Sequence, residues 1–366
     1  MIKKIILSLL VIVVLFSAYL LFWPVPVNPI PFKLSPDPGL TVDYAPNDRL
    51  NPIELLGIGN NSGPEAVAID GNGVIYSGTN EGYIVRLAPG GTNPENWVDT
   101  KGRPCGMAFD SIGNLIVADS VQGLLSISPI GKITVLSKEV DGIPVLYADD
   151  LDIANDGKIY FSDATTKFSP KEYGALKACF MEIIEHEGHG RLLVYDPADN
   201  STKTLLKGLI FANGVAVSHD QTFVLVNESG SCCITRYWIS GPKAGRAEPF
   251  IEALPGIPDN ISKGDNGIFW VALVGPRGPV IDTQSIFLRK IIFRLLFILE
   301  PIVENPPKGS NHIIGFDKNG KVVIDLQNSE SNFLNNTSVA ESKDYLYLGS
   351  YSAPAIGRVS KEKIGF

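Results

Sequence analysis

Ile153-Ala-Asn-Asp-Gly-Lys-Ile-Tyr-Phe161 is an apolar pair, a turn and a hydrophobic strand, and the phrase returns five more times along the chain. The other copies are Ala68-Ile-Asp-Gly-Asn-Gly-Val-Ile-Tyr76, Phe109-Asp-Ser-Ile-Gly-Asn-Leu-Ile-Val117, Val217-Ser-His-Asp-Gln-Thr-Phe-Val-Leu225, Ile261-Ser-Lys-Gly-Asp-Asn-Gly-Ile-Phe-Trp270 and Val339-Ala-Glu-Ser-Lys-Asp-Tyr-Leu-Tyr-Leu348. Self-similarity on this scale marks a propeller or solenoid. Each copy runs on into another strand with a polar or charged member, such as Tyr83-Ile-Val-Arg-Leu87, Arg191-Leu-Leu-Val-Tyr-Asp-Pro197 or Ala355-Ile-Gly-Arg-Val359. Most copies add a further strand, such as Ile133-Thr-Val-Leu136. Four antiparallel strands in about 55 residues make a propeller blade, so the expected fold is an all-β, six-bladed β-propeller.

The 366 residues include 36 Gly and 26 Pro scattered between short apolar runs, as many strands joined by tight turns require. A net charge of -8, with no Lys/Arg cluster after Lys3-Lys4, excludes a nucleic-acid partner, because phosphate neutralisation needs concentrated positive charge. A small uncharged or cationic molecule fits the composition better.

Lys3-Lys4 precede an apolar run from Ile5 to Trp23, and a Pro-rich stretch follows from Pro24 to Pro38. The run is long enough to cross a bilayer as a helix. The expected plan is a signal-anchor helix over 1–24, a linker over 25–45 and the propeller over 46–366. The positive-inside preference holds the N-terminus in the cytoplasm and places the propeller on the extracytoplasmic side. A cleaved signal peptide is the rival reading; its small-residue site would be Ser17-Ala18-Tyr19, which lies inside the run rather than after it. Either reading exports the domain. Sequons begin at Asn60, Asn200, Asn227, Asn260, Asn335 and Asn336 and make the chain a glycoprotein in a host that glycosylates them. Cys105, Cys179, Cys232 and Cys233 have no metal-binding spacing. Cys232 and Cys233, in one strand, would face opposite ways, and a Cys105 to Cys179 bridge stays open.

Two insertions interrupt the repeat. Residues 171–185 read as a short helix in a connection between blades. Residues 285–301 are too apolar for a loop and read as an amphipathic helix, with Arg289, Lys290 and Arg294 on one side. It packs on the propeller rim, or it serves as a second membrane contact over 285–300 or a substrate lid.

In a propeller the innermost strand of each blade lines the central channel. Glu65, Asp149, Asn213 and the pair Asp259-Asn260 stand at matching places just ahead of those strands. Asn-Gly and Asp-Asn are common turn dipeptides, and one alone would be turn chemistry; the recurrence of the offset in separate blades argues for a shared site. Carboxylate and amide oxygens without His form the hard donor set that selects calcium. Carboxylates converging without a cation would repel one another and be costly to desolvate.

The phrases Gly102-Arg-Pro-Cys-Gly-Met-Ala-Phe-Asp110, Tyr160-Phe-Ser-Asp-Ala164, Asn213-Gly-Val-Ala-Val-Ser218, Arg236-Tyr-Trp-Ile-Ser-Gly-Pro242 and Leu254-Pro-Gly-Ile-Pro-Asp-Asn-Ile261 resemble the strictosidine synthase-like family. The resemblance runs in order from about residue 60 to 350 and is nearest to the adipocyte plasma membrane-associated group, which shares the short N-terminal anchor. More distantly the chain is similar to the paraoxonases and gluconolactonases, calcium-dependent six-bladed propellers. The resemblance implies a channel Ca2+ held by Glu65, Asp149, Asn213, Asp259 and Asn260, with Asp259 also the catalytic base or nucleophile. Asp149 departs from the Asn usual there, and Ala66 replaces the Asp of the paraoxonases' second calcium site. Thr337 stands where strictosidine synthase has its catalytic Glu, and Cys105 where paraoxonases have a His. Threonine does not shuttle protons at neutral pH as a carboxylate does, so alkaloid condensation is not expected. The four histidines lie outside the inner strands; His186 and His189 read as a surface pair. The expected activity is calcium-dependent hydrolysis of a small neutral ester or lactone, of the arylesterase or lactonase kind, with a non-catalytic calcium-stabilised scaffold as the alternative. Loops 164–190 and 277–310 would set specificity.

Overall fold

The computed structural model describes residues 2–298, 311–329, 333 and 335–366. Six four-stranded antiparallel sheets stand around one channel, and five of them are built from consecutive strands, over residues 67–99, 104–137, 148–209, 212–251 and 256–328. The sixth takes three strands from 336–360, and its outermost strand is Glu54–Gly57 from the start of the domain. Leu55 there faces Gly357 and Leu56 faces Ile356, so the two ends of the ring are joined by backbone hydrogen bonds. This closure removes an exposed sheet edge.

The recurring phrase is the turn between the first and second strands of each blade. Asp70 Oδ1 accepts from the N–H groups of Asn72 and Val74, both at 2.9 Å, and Asp110 Oδ1 accepts from Ile112 and Asn114 at 3.0 and 2.8 Å. Gly73 and Gly113 close these turns at φ of 83° and 87°, a conformation that costs glycine nothing. Apolar side chains between neighbouring blades form the core; Leu115, Val117, Leu125 and Ile127 of the second blade are buried against Ala66 and Tyr76 of the first.

Helix α1 (Ile2–Phe22) is strongly apolar after Lys3 and Lys4 in its first turn, has no buried residue and is long enough to cross a membrane. Among the described residues, four shorter helices are α2 (Pro170–Tyr173), α3 (Ala175–Glu185), α4 (Pro279–Asp282) and α5 (Ile286–Ile298). The first insertion does not connect blades: α2 and α3 lie within the third blade, between its second and third strands, and α4 and α5 occupy the same place in the fifth. The basic side of α5 turns inward, with Arg289 and Arg294 only 1% and 6% exposed. Residues 299–301 of this expected helix lie outside the described residues.

All four cysteines are free, so the Cys105 to Cys179 bridge is not formed. Cys232 precedes the strand that Cys233 opens, at φ 48°, so the two do not share a strand. His186 and His189 are not a surface pair: His186 is buried in the left-handed cap of α3, and half-buried His189 holds Glu182 through Nδ1 at 2.9 Å.

Candidate metal and active site

The inner strands carry a shared irregularity. Pairing with the second strand slips by one residue between Pro104 and Met107, Ala148 and Leu151, Ala212 and Val215, Pro258 and Ile261, and Asn336 and Val339. Each slip is a β-bulge, which leaves two residues unpaired and re-aims their side chains. The first unpaired residues are Cys105, Asp149, Asn213, Asp259 and Thr337, and Glu65 stands in the matching place just before Val67 in the first blade. The expected site residues therefore sit inside the inner strands in all but the first blade, rather than ahead of them.

The second unpaired residue lets neighbouring bulges touch. A Cβ on Gly214 would lie 2.3 Å from Ile261 N and 2.6 Å from Asp259 O, and one on Gly106 would lie 2.4 Å from Asp150 Oδ1. Asp150, at the same position in the third blade, accepts from Val215 N–H at 2.9 Å, while burial pushes its carboxyl up to about 8. Asn227 and Ser229 of the fourth blade donate to the carbonyls of Asp259 and Pro258, both at 2.6 Å. The inner bulges are thus fixed to one another through backbone as well as side chains.

Carboxyl or thiol atoms of Glu65, Cys105 and Asp149 approach within 4.8 Å of one another. Burial, then repulsion from Glu65, pushes the carboxyls of Asp149 and Asp259 well above the usual range, while the nearby Asn213 amide opposes this at Asp259. Asp149 Oδ1, Asn213 Oδ1, Asp259 Oδ1 and both amide atoms of Asn260 are buried without a hydrogen-bond partner. Asn260 itself occupies the second bulge position and is 4% exposed. Cys105 is fully buried, and burial with Glu65 nearby pushes its thiol well up, so it stays neutral. Thr337 Oγ1 donates to the Glu65 carbonyl at 2.6 Å and holds the first blade's contribution in place.

Several neighbours carry no repeated signal in the sequence. Arg103 reaches Glu65 in an ion pair; burial pulls its pKa down, but Glu65 and the further acidic groups around it, Asp149 among them, together outweigh burial and hold the guanidinium above its ordinary value. Arg103, Tyr147, Phe211 and Ile257 each lie two residues before a ring position, the first three just ahead of their inner strands and Ile257 near the start of its own. Tyr147 and Phe211 meet edge to face at 5.3 Å, in one apolar cluster with Cys105, α3 and α5. Cys179 of α3 lies near enough to Asp259, Asp149 and Glu65 that their charges add to burial in raising its thiol. Only the offset of two from each ring residue marks this layer in the sequence. Two surface clefts lie elsewhere, one between the third and fourth blades and one beside Asn47 and Asp325, and contain no ring residue.

Residues 149–242 match the family model for strictosidine synthase, and residues 43–87 match the model for the strictosidine synthase-like N-terminal region. The adipocyte plasma membrane-associated protein of Rattus norvegicus is 32% identical over 362 residues, covering 93% of this chain and 94% of that one. Among solved structures, a gluconolactonase from Xanthomonas campestris superposes with a TM-score of 0.60 at 16% identity, over 92% of this chain and 96% of that one. The calcium-binding protein regucalcin from Agrobacterium tumefaciens gives a TM-score of 0.57 at 13% identity, over 84% and 93%. At these identities the two structures speak for the fold alone. The length of the sequence match, with both family models in their proper order on a closed ring of six blades, decides the classification: the chain belongs to the strictosidine synthase-like family.

Proposed function

We propose that the protein is a membrane-anchored, calcium-dependent hydrolase of small neutral esters or lactones. The observation that carries the proposal is the set of buried oxygens without partners, Oδ1 of Asp149, Asn213, Asp259 and Asn260. Leaving such groups unpaired costs about 1–3 kcal/mol each, and a cation is the ligand that satisfies acceptors alone. Charge points the same way. Glu65, Asp149 and Asp259 against Arg103 leave an excess of two negative charges when all are ionised, which one divalent ion balances. The donors fit calcium: they are hard oxygens, and the thiols near them, Cys105 and Cys179, are held neutral by burial.

Bound there, calcium supplies Lewis acidity toward a carbonyl oxygen and stabilises developing negative charge. Asp259 acts on the carbonyl as base toward water or as nucleophile, held in aim by the bulge whose carbonyl Asn227 grips. Tyr147, Phe211 and Ile257 supply an apolar wall for the acyl chain or lactone ring. The solved gluconolactonase supports lactones as a substrate class, and regucalcin supports the ion. Lys3 and Lys4 in the first turn of α1 support an orientation with the propeller outside the cytoplasm, following a plan of anchor 1–24, linker 25–45 and propeller 46–366.

Cys105 and Thr337 favour a second reading, a calcium-stabilised scaffold without turnover, because neither offers a base beside the ring. Purified protein assayed on phenyl acetate and a lactone panel, with and without chelator, separates the two. Calcium-dependent hydrolysis abolished in Asp259→Asn supports the hydrolase; chelator-induced melting with no turnover supports the scaffold.

A further inference from the structure

The membrane helix and the cover of the channel are one mechanical unit. Arg294 of α5 donates to the last carbonyls of α1: Nη1 to Leu20 at 2.7 Å, Nε and Nη2 to Trp23 at 2.8 and 2.6 Å. A guanidinium is well placed at a helix C-terminus, where four carbonyls lack partners. Tyr19 Oη returns a bond to Arg294 O at 3.4 Å, and Tyr19 and Trp23 lie ring to ring at 5.8 Å, the aromatic pair expected where a helix leaves lipid. Past α1 the chain runs straight onto α3: Asn28 N–H donates to Glu185 Oε2 at 2.9 Å and Ile30 N–H to Glu185 O at 3.1 Å. Phe32 stacks on His186 at 3.9 Å, with the Arg289 guanidinium 4.2 Å from its ring centre and donating to Ile183 O at 2.6 Å. A single apolar cluster extends from Cys105 and Tyr147 in the channel through Ile184 of α3 to Phe293 of α5 and Val27 of the linker.

The outward turn of α5 is apolar. Ile286, Phe287 and Leu288 are 38%, 55% and 49% exposed, while the arginines of the same helix are buried. This inverts the order water would impose on a rim helix. At 1.5 Å per residue, Phe287 lies roughly 10 Å along α5 from the arginine that caps α1, within reach of the boundary where α1 leaves the hydrocarbon.

We propose that α5 seats in the membrane that α1 enters, so that the cover of the oxygen ring opens toward lipid and the substrate is an amphiphilic ester or lactone delivered from the bilayer. The membrane is chosen over a protein partner because the exposed turn is continuous with the exit of a helix long enough to span it. The substrate half of this proposal rests on the hydrolase reading; the seating half does not.

The test uses the full chain in phospholipid nanodiscs, spin-labelled at Phe287→Cys or Leu288→Cys, with Ile130→Cys, an 88% exposed position on the second blade, as the aqueous control. Greater relaxation by oxygen than by a water-soluble nickel chelate at 287 and 288, reversed at 130, is the expected result. A water-like response at 287 and 288, or protection from both probes as under a protein partner, overturns the seat. In the same nanodiscs the Phe287→Asp/Leu288→Asp variant should lose about tenfold in rate on a long-chain lactone while keeping its rate on a water-soluble one. Equal losses on both overturn lipid delivery. Absence of turnover in the unsubstituted protein fails the hydrolase reading and the substrate half with it, and the spin labels still decide the seat.

Discussion

Arg103 forms an ion pair with Glu65 at the head of the oxygen ring, with the two side chains 13% and 9% exposed. The guanidinium occupies a carboxylate that the ring would offer to a cation, and its charge opposes any divalent ion nearby. Arg103 thus acts as an internal counter-ion that makes the metal-free ring tolerable. Replacing it with methionine, which keeps much of the length and none of the charge, should lower the melting temperature of chelator-treated protein and tighten calcium binding about tenfold. Titration calorimetry reads the second effect. Weaker calcium binding would mean that Arg103 serves to hold Glu65 in position.

Gly214 leaves the space through which the fifth blade's bulge approaches the fourth. Ala at this position would press on the backbone of Asp259 and Ile261, a fault of the overpacking kind worth about 1–3 kcal/mol. Gly214→Ala should therefore destabilise the fold by that amount in denaturant titration and weaken calcium binding as well. A variant with lost stability but full calcium affinity would show that the bulge contact does not position the ring.

His186 gives the cover a pH dependence. Burial, reinforced by the positive charge of Arg289, lowers its pKa from the usual 6.5 to about 4. Between those values the unfolded chain binds a proton that the folded state refuses, so stability is full above about pH 6.5 and falls as pH drops toward 4. The loss amounts to about 3 kcal/mol at most. His186→Gln should flatten stability across this window, measured by denaturant titration at pH 4.5 and 7; an unchanged pH profile would place the acid sensitivity elsewhere.

The propeller was legible because its turn phrase is local: a short Asp or Ser side chain that caps its own backbone and a residue at positive φ, most often Gly, come back in most copies of the turn. The ring positions were legible for the same reason, since Asp149, Asn213 and Asp259 share one offset from that turn. Arg103, Tyr147 and Cys179 were not, because each has a different chemistry and contributes through the ring's geometry rather than through a repeat. The pairing of Glu54–Gly57 with the last blade escaped for a related reason: its four residues match no copy of the phrase, and only closure of the circle brings them to Ala355–Ser360. Charge pattern marked α5 as amphipathic, but which side faces the protein depended on carbonyls of α1 and α3 that only the fold brings to Arg294 and Arg289.

Calcium binding by the purified, chelator-treated chain, measured at equilibrium alongside an Asp149→Asn/Asp259→Asn variant, tests the central claim most directly. A single calcium ion per chain is expected in the unsubstituted protein and none in the variant. Absence of binding in the former, or equal binding in both, would contradict it.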